Sequence, residues 1–136
     1  MSIEAHAITP AVLWAGRVLS FLAIAFLLLD AAIKLVPIKP VTDAMQALGF
    51  VGGDALARGL GILLLACTIL YAIPRTAPLG ALLLTGYLGG AIAVQLRAGN
   101  PWFSHVLFGG YLGVLLWVGL LLRHHPLRAL VLPATT

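Results

Sequence analysis

Val18–Leu29 reads VLSFLAIAFLLL, an apolar run broken only by Ser20. Its flanks extend the apolar stretch from about Leu13 to Val36. That is enough to cross the roughly 30 Å hydrocarbon core of a bilayer, which takes about 20 residues of helix. The run could also imitate the apolar core of a signal peptide. The segment before it is long, however, and sets one cation against Glu4, and helix-compatible sequence continues through Asp30 to Lys34. A retained span is therefore expected rather than a cleaved leader.

The same pattern recurs along the chain. Pro37 and Pro40 are expected to stop the first helix, because proline lacks an N–H and clashes with the preceding turn. Thr42–Leu48 (TDAMQAL) fits a short interfacial helix capped by Thr42, ahead of a break at Gly49, Gly52 and Gly53. Further spans are expected at about 55–73, with Asp54 as N-cap, then 79–98 and 104–123. Pro74–Pro78 and Gly99-Asn100-Pro101 supply the turns, and Pro126 closes the last span before a short basic tail. The expected fold is all-α: a transmembrane four-helix bundle, up-down-up-down, with a short interfacial helix between the first two spans. Residues 1–136 would form a single integral membrane domain.

Composition agrees. Of 136 residues, 62% are hydrophobic and only 9% charged, and the mean hydropathy is +1.10. Soluble domains carry about a quarter of their residues as charges, so a soluble enzyme, a nucleic-acid-binding module and a disordered tail are excluded. The net charge of +4 speaks to orientation and anionic lipid. Arg17, Arg75, Arg123 and Arg128 fall at the end that holds the termini. Lys34, Lys39, Arg58 and Arg97 fall at the other, three of them in or at the edge of spans, which places both termini on the cytoplasmic side. The single cysteine, Cys67, leaves no internal disulfide or CxxC exchange site and reads as a packed thiol.

Polar residues gather at one end. Asp30 and Lys34 close the first span, Arg58 opens the second, Gln95 and Arg97 end the third, and His105 starts the fourth. Ionisable groups in spans cost several kcal/mol unless paired, hydrated or snorkelled. Asp30 and Lys34 stand i, i+4 with the acid first, the favourable order for a helical ion pair. Gly86, Gly90, Ala93 and Arg97 share a helix face to within about 20°, which turns Arg97 inward. Lys34, Arg58 and Arg97 against Asp30 would make a cationic pocket for an anionic or carbonyl-bearing head group. The competing account is snorkelling of long side chains to the interface. The glycine spacing, repeated at Gly109 and Gly113, marks either packing within the monomer or a homodimer seam.

Tyr71, Tyr87, Trp14, Trp102, Phe103 and Trp117 lie near span ends and read as interfacial anchors. His124-His125 with Arg128 reads as a solvated basic end that attracts anionic lipid, with no ligand set for a metal. No phosphate loop, HExxH motif, axial histidine pair or serine-histidine-acid set can be assembled. No catalytic residue and no metal ligand is assigned, and intrinsic catalysis is not expected.

The ordered set Asp30–Leu35 (DAAIKL), Leu70–Gly80 (LYAIPRTAPLG), Leu83–Ala91 (LLTGYLGGA), Ser104–Leu107 (SHVL), Tyr111–Trp117 (YLGVLLW) and Leu122-Arg123 resembles the DoxX-like family of small four-helix bacterial membrane proteins. The resemblance implies the bacterial inner membrane, cytoplasmic termini and a link to quinone-dependent membrane redox assemblies. Two positions depart from the family pattern. Leu64 stands in Leu64-Leu65-Ala66-Cys67 where relatives carry glutamate, and Gln95 stands where they carry histidine ahead of the arginine. Gln95 can hydrogen-bond a carbonyl but cannot titrate, so this chain keeps the scaffold with lost or changed chemistry.

The expectation is an accessory or binding subunit of a quinone-linked redox system. Asp30, Lys34, Arg58, Gln95, Arg97 and His105 would receive a quinone-like or lipidic head group at the non-cytoplasmic end. No cofactor would be intrinsic beyond a bound quinone or lipid. Expected partners are membrane lipid, a membrane redox protein and a second copy of the chain, and no nucleic acid. The alternative is a small dimeric transporter with Asp30 as coupling acid.

Overall fold

Thr9 and Pro10 start the first helix in the way a chain entering a helix requires. The Thr9 hydroxyl accepts from the Val12 N–H at 3.4 Å, and Pro10 occupies the first turn, where its missing N–H costs nothing. In the computed structural model, which describes residues 9–36 and 38–132, this helix, α1, runs Pro10–Leu35. It is followed by α2 (Lys39–Ala47), α3 (Gly53–Ala72), α4 (Ala77–Arg97), α5 (Phe108–Arg123) and α6 (His125–Val131). A π-helical turn, Trp102–Val106, leads into α5; its wide ladder is seen in Val106 N–H to Pro101 O at 3.2 Å and Leu107 N–H to Trp102 O at 2.8 Å.

Four helical segments are long and apolar enough to cross a membrane: Pro10–Leu35, Gly53–Ala72, Ala77–Arg97 and Trp102–Arg123. They pack in a closed square in which α1 touches α3 and α5, and α4 touches the same two. The core is a column of Leu27, Leu64, Tyr71, Leu84, Leu116 and Leu120 with small residues such as Ala23, Ala31, Ala57 and Ala81 between them. Outward faces carry Phe21, Leu29, Ile62, Leu82 and Val114, as a bundle solvated by lipid requires.

Three corrections concern local structure. Pro40 does not lie between helices; it sits in the first turn of α2, which Ile38 precedes as N-cap, because a proline there loses no ladder bond. Thr42 therefore lies inside α2, and its hydroxyl donates to Lys39 O at 3.0 Å instead of capping. Asp54 lies within the first turn of α3, whose N-cap is Gly52. Pro37 lies outside the described residues.

The fourth correction concerns the α4 part of the small-residue pattern, Gly86 and Gly90, as packing within the monomer. A Cβ placed on Gly86 or Gly90 would meet nothing within 4 Å, so neither lies in a helix contact. Gly109, the α5 part of that pattern, does seat a helix, and further close approaches lie at Gly80 and Gly61. A Cβ on Gly80 would stand 2.2 Å from Tyr71 N, on Gly61 3.0 Å from Leu35 N, and on Gly109 3.2 Å from Leu88 O. Glycine lets α3–α4, α1–α3 and α4–α5 touch at these points.

Candidate functional site

At the end where α1 and α4 finish and α3 and α5 begin, the square does not close. A cavity of about 700 Å³ opens there, bounded by α1, α2, α4 and the start of α5. Its wall is mostly apolar, with Phe26, Ile33, Met45, Phe50, Ile92 and Phe108 among the lining residues. Gly86 and Gly90 face it too, which explains their empty surroundings: they widen the cavity instead of seating a helix. Phe26 and Phe108 meet across one side with ring centroids 5.2 Å apart and planes tilted by 56°.

Four of the six sequence-predicted residues, Asp30, Lys34, Gln95 and His105, line this cavity together with Tyr87. Each is placed by the element beneath it. Gly61 draws α3 against Ala31, Lys34 and Leu35, which leaves Asp30 and Ile33 on the cavity side of α1. Lys34 Nζ and Asp30 Oδ1 pair at 2.5 Å, both half-buried. Gln95 Oε1 accepts from Asn100 Nδ2, so the α4–α5 turn fixes its amide. His105 rides on the π-helical turn, with Ser104 Oγ 2.8 Å from its Nδ1. The other ring nitrogen makes no hydrogen bond to a described residue.

Arg58 and Arg97 are the two that the cavity does not receive. Both are exposed and neither is among its lining residues. Arg97 instead reaches back to α2, where its Nη2 donates to Leu48 O at 2.9 Å. Gly49, with φ of 84°, accommodates the guanidinium, since a Cβ there would lie 2.7 Å from Nη2. Arg97 is thus a staple that holds α2 over the cavity. The inward position inferred from the glycine face fails because α4 ends at Arg97, and its long side chain follows the interface rather than the helix stripe.

A second polar cluster lies at the opposite end, with little sign of it in the sequence. Tyr71, read as an interfacial anchor, is fully buried. Its hydroxyl donates to Leu116 O at 2.6 Å and lies 3.3 Å from Ser20 Oγ. Arg123 Nε donates to Ser20 Oγ at 2.8 Å and its Nη2 to Tyr71 O at 3.0 Å, with the guanidinium 5.0 Å from the Tyr71 ring centroid. The lone Ser20 in an otherwise apolar run and an arginine closing the last span were the only signals. Nothing in their spacing joined them. Trp117 is tied in similarly, its indole donating to Thr85 Oγ1 at 2.8 Å, whereas Trp14 and Trp102 remain exposed in positions suited to anchoring. Among the described residues no group of His, Cys, Asp or Glu is placed to hold a metal.

A model of the DoxX-like family matches residues 18–119, most of the chain and all four spans in whole or part. The chain belongs to the DoxX-like family. It is a multi-pass membrane protein of that family by its four apolar helices. No curated protein and no solved structure matches it. In this DoxX-like chain, Leu64 is a fully buried core residue, so no titratable group enters the bundle at that point.

Proposed function

We propose that this DoxX-like protein is a membrane binding module whose cavity takes the neutral, carbonyl-bearing head group of a quinone-like amphiphile. The observation that carries this reading is the charge balance of the cavity wall. Asp30 and Lys34 are its acidic and basic members and they pair with each other, while the two cations that would have favoured an anion lie off the wall. A phosphate would find no surplus charge there. A carbonyl oxygen would find donors: the Lys34 ammonium has three N–H groups, of which Asp30 engages one, and the Gln95 amide and His105 ring add others.

Size and lining support the same reading. A cavity of about 700 Å³ lies within the range of small-ligand sites, roughly 300–1,000 Å³ and mostly apolar with a few convergent polar groups. The apolar wall around Phe26, Ile92 and Phe108 suits the ring and first tail units, and the remainder can extend into lipid. Family membership favours service beside a membrane redox protein, as an accessory subunit in a bacterial cytoplasmic membrane. Arg17, Arg75, Arg123 and Arg128 at the terminal end favour cytoplasmic termini.

The test is native mass spectrometry of protein released from its own membrane in mild detergent, with extraction and identification of what co-purifies. A quinone-like molecule bound one to one, and lost in the Gln95→Leu, His105→Leu double variant, is the expected result. Retention of nothing, or equal retention by the variant, would overturn the proposal. So would a phospholipid as the only molecule that the double variant loses.

A further inference from the structure

The second polar cluster has a charge that no acid among the described residues balances. Arg123 is half-buried where α5 ends, and the groups it touches are a hydroxyl, a backbone carbonyl and an aromatic face. Among the described residues the single ion pair is Asp30–Lys34, and the described acids, Asp30, Asp43 and Asp54, all belong to the cavity end. Of the five N–H donors of a guanidinium, Ser20 and Tyr71 occupy one on Nε and one on Nη2. The remaining three, two of them on Nη1, have no partner among the described residues.

The surroundings repeat the sign. Arg17 lies in the second turn of α1, Arg75 in the α3–α4 turn and Arg128 on α6, all at this end. The α6 helix is held down by Leu127, which packs against the core, and it is capped by His124, whose Nδ1 accepts from the Leu127 N–H at 3.2 Å. Leu130, Val131 and Leu132 are left exposed. A short helix with apolar residues outward and arginine beside them, at the level where the spans end, suits the headgroup layer of a bilayer. Ser20 and Tyr71 meanwhile hold the Arg123 fork in one orientation, as bidentate phosphate recognition requires.

We propose that Arg123, with Arg128 and Arg75 at the same end, is a binding site for the phosphate of an anionic phospholipid at the end of the bundle opposite the cavity. The site is independent of the cavity and of its ligand. The bound lipid supplies a counter-charge that no described residue provides, and it fixes the depth of α5 and α6 in the leaflet.

The experiment is a lipid titration of the full chain in mild detergent, read by native mass spectrometry. Phosphatidylglycerol is compared with phosphatidylcholine of the same acyl chains, and inorganic phosphate is added as competitor. Expected is at least a fivefold preference for phosphatidylglycerol that millimolar phosphate does not abolish. That preference should fall to within twofold of unity in Arg123→Gln, and to a lesser extent in Arg75→Gln, Arg128→Gln, whose side chains make no described hydrogen bond. Equal affinity for the two lipids in the unaltered protein overturns the proposal, as does full preference retained by the Arg75, Arg128 variant and by a folded Arg123→Gln. Displacement by inorganic phosphate alone overturns the lipid as the occupant.

Discussion

Ser20 and Tyr71 both lie in the Arg123 cluster, yet their hydroxyls should be worth different amounts. In Tyr71→Phe the ring remains in its fully buried site and one hydroxyl is lost. The partner it leaves, Leu116 O, belongs to the α5 ladder and still accepts from its own helix, so no polar group is stranded. The contact to Ser20 is long, at 3.3 Å. The loss should be near the average for an interhelical hydrogen bond in a membrane, about 0.6 kcal/mol, and below the observed upper range of about 1.7 kcal/mol.

Ser20→Ala removes the acceptor for Arg123 Nε at 2.8 Å. A bond to a charged donor is worth about 1.5–3 kcal/mol, and its loss leaves a half-buried N–H of a cation unpaired. Equilibrium unfolding in mixed micelles with increasing sodium dodecyl sulfate, followed by tryptophan fluorescence, measures both variants against the unaltered chain. Ser20→Ala should cost at least twice as much as Tyr71→Phe. Because the Ser20–Tyr71 contact is long, the double variant should be additive to within about 0.5 kcal/mol. A Tyr71→Phe cost equal to or above that of Ser20→Ala would refute this division, and with it the view that the cluster is centred on Arg123.

Gly80→Ala should be costly, because its Cβ would stand 2.2 Å and 2.5 Å from backbone atoms of Tyr71, which cannot swing aside; an overpacking penalty of about 1–3 kcal/mol is expected in the same unfolding assay. Arg97→Ala should leave global stability within about 1 kcal/mol, since it removes one exposed hydrogen bond. It should nevertheless raise hydrogen exchange across residues 39–48 well above that in α4, because the staple on α2 is gone. Unchanged exchange there would show that α2 is held by Met45 and its packing on α3 alone.

The spans and their order were legible because long apolar runs and Pro/Gly breaks are signals carried by single segments. Asp30 and Lys34 were legible for a similar reason: one helix supplies both partners, and the pair forms at 2.5 Å. Gln95 and His105 reach the same cavity as these two because the up-down order brings those helix ends together. Arg97 was misread, since helical register says where a Cβ points and not where a long side chain ends. Gly86 and Gly90 fail as a packing face within the monomer for a related reason. Small residues permit close approach but do not supply the neighbour, and here the space beside them is cavity. Ser20, Tyr71 and Arg123 come from three different helices, and no pattern within any one of them marks the contact.

The glycines that widen the cavity also give the most direct test of its role. Gly86→Leu and Gly90→Leu each place a side chain into space that is empty within 4 Å of the Cβ, and each replaces a helix-weakening glycine, worth roughly 0.5–1 kcal/mol in favour of the variant. Binding of a short-chain quinone analogue by the purified protein, titrated as a thermal shift, separates the two effects. The account predicts variants at least as stable as the unaltered chain, with affinity for the analogue reduced tenfold or more. Stable variants that bind the analogue as tightly as before would contradict it, and would leave the cavity as a gap in packing and not a site.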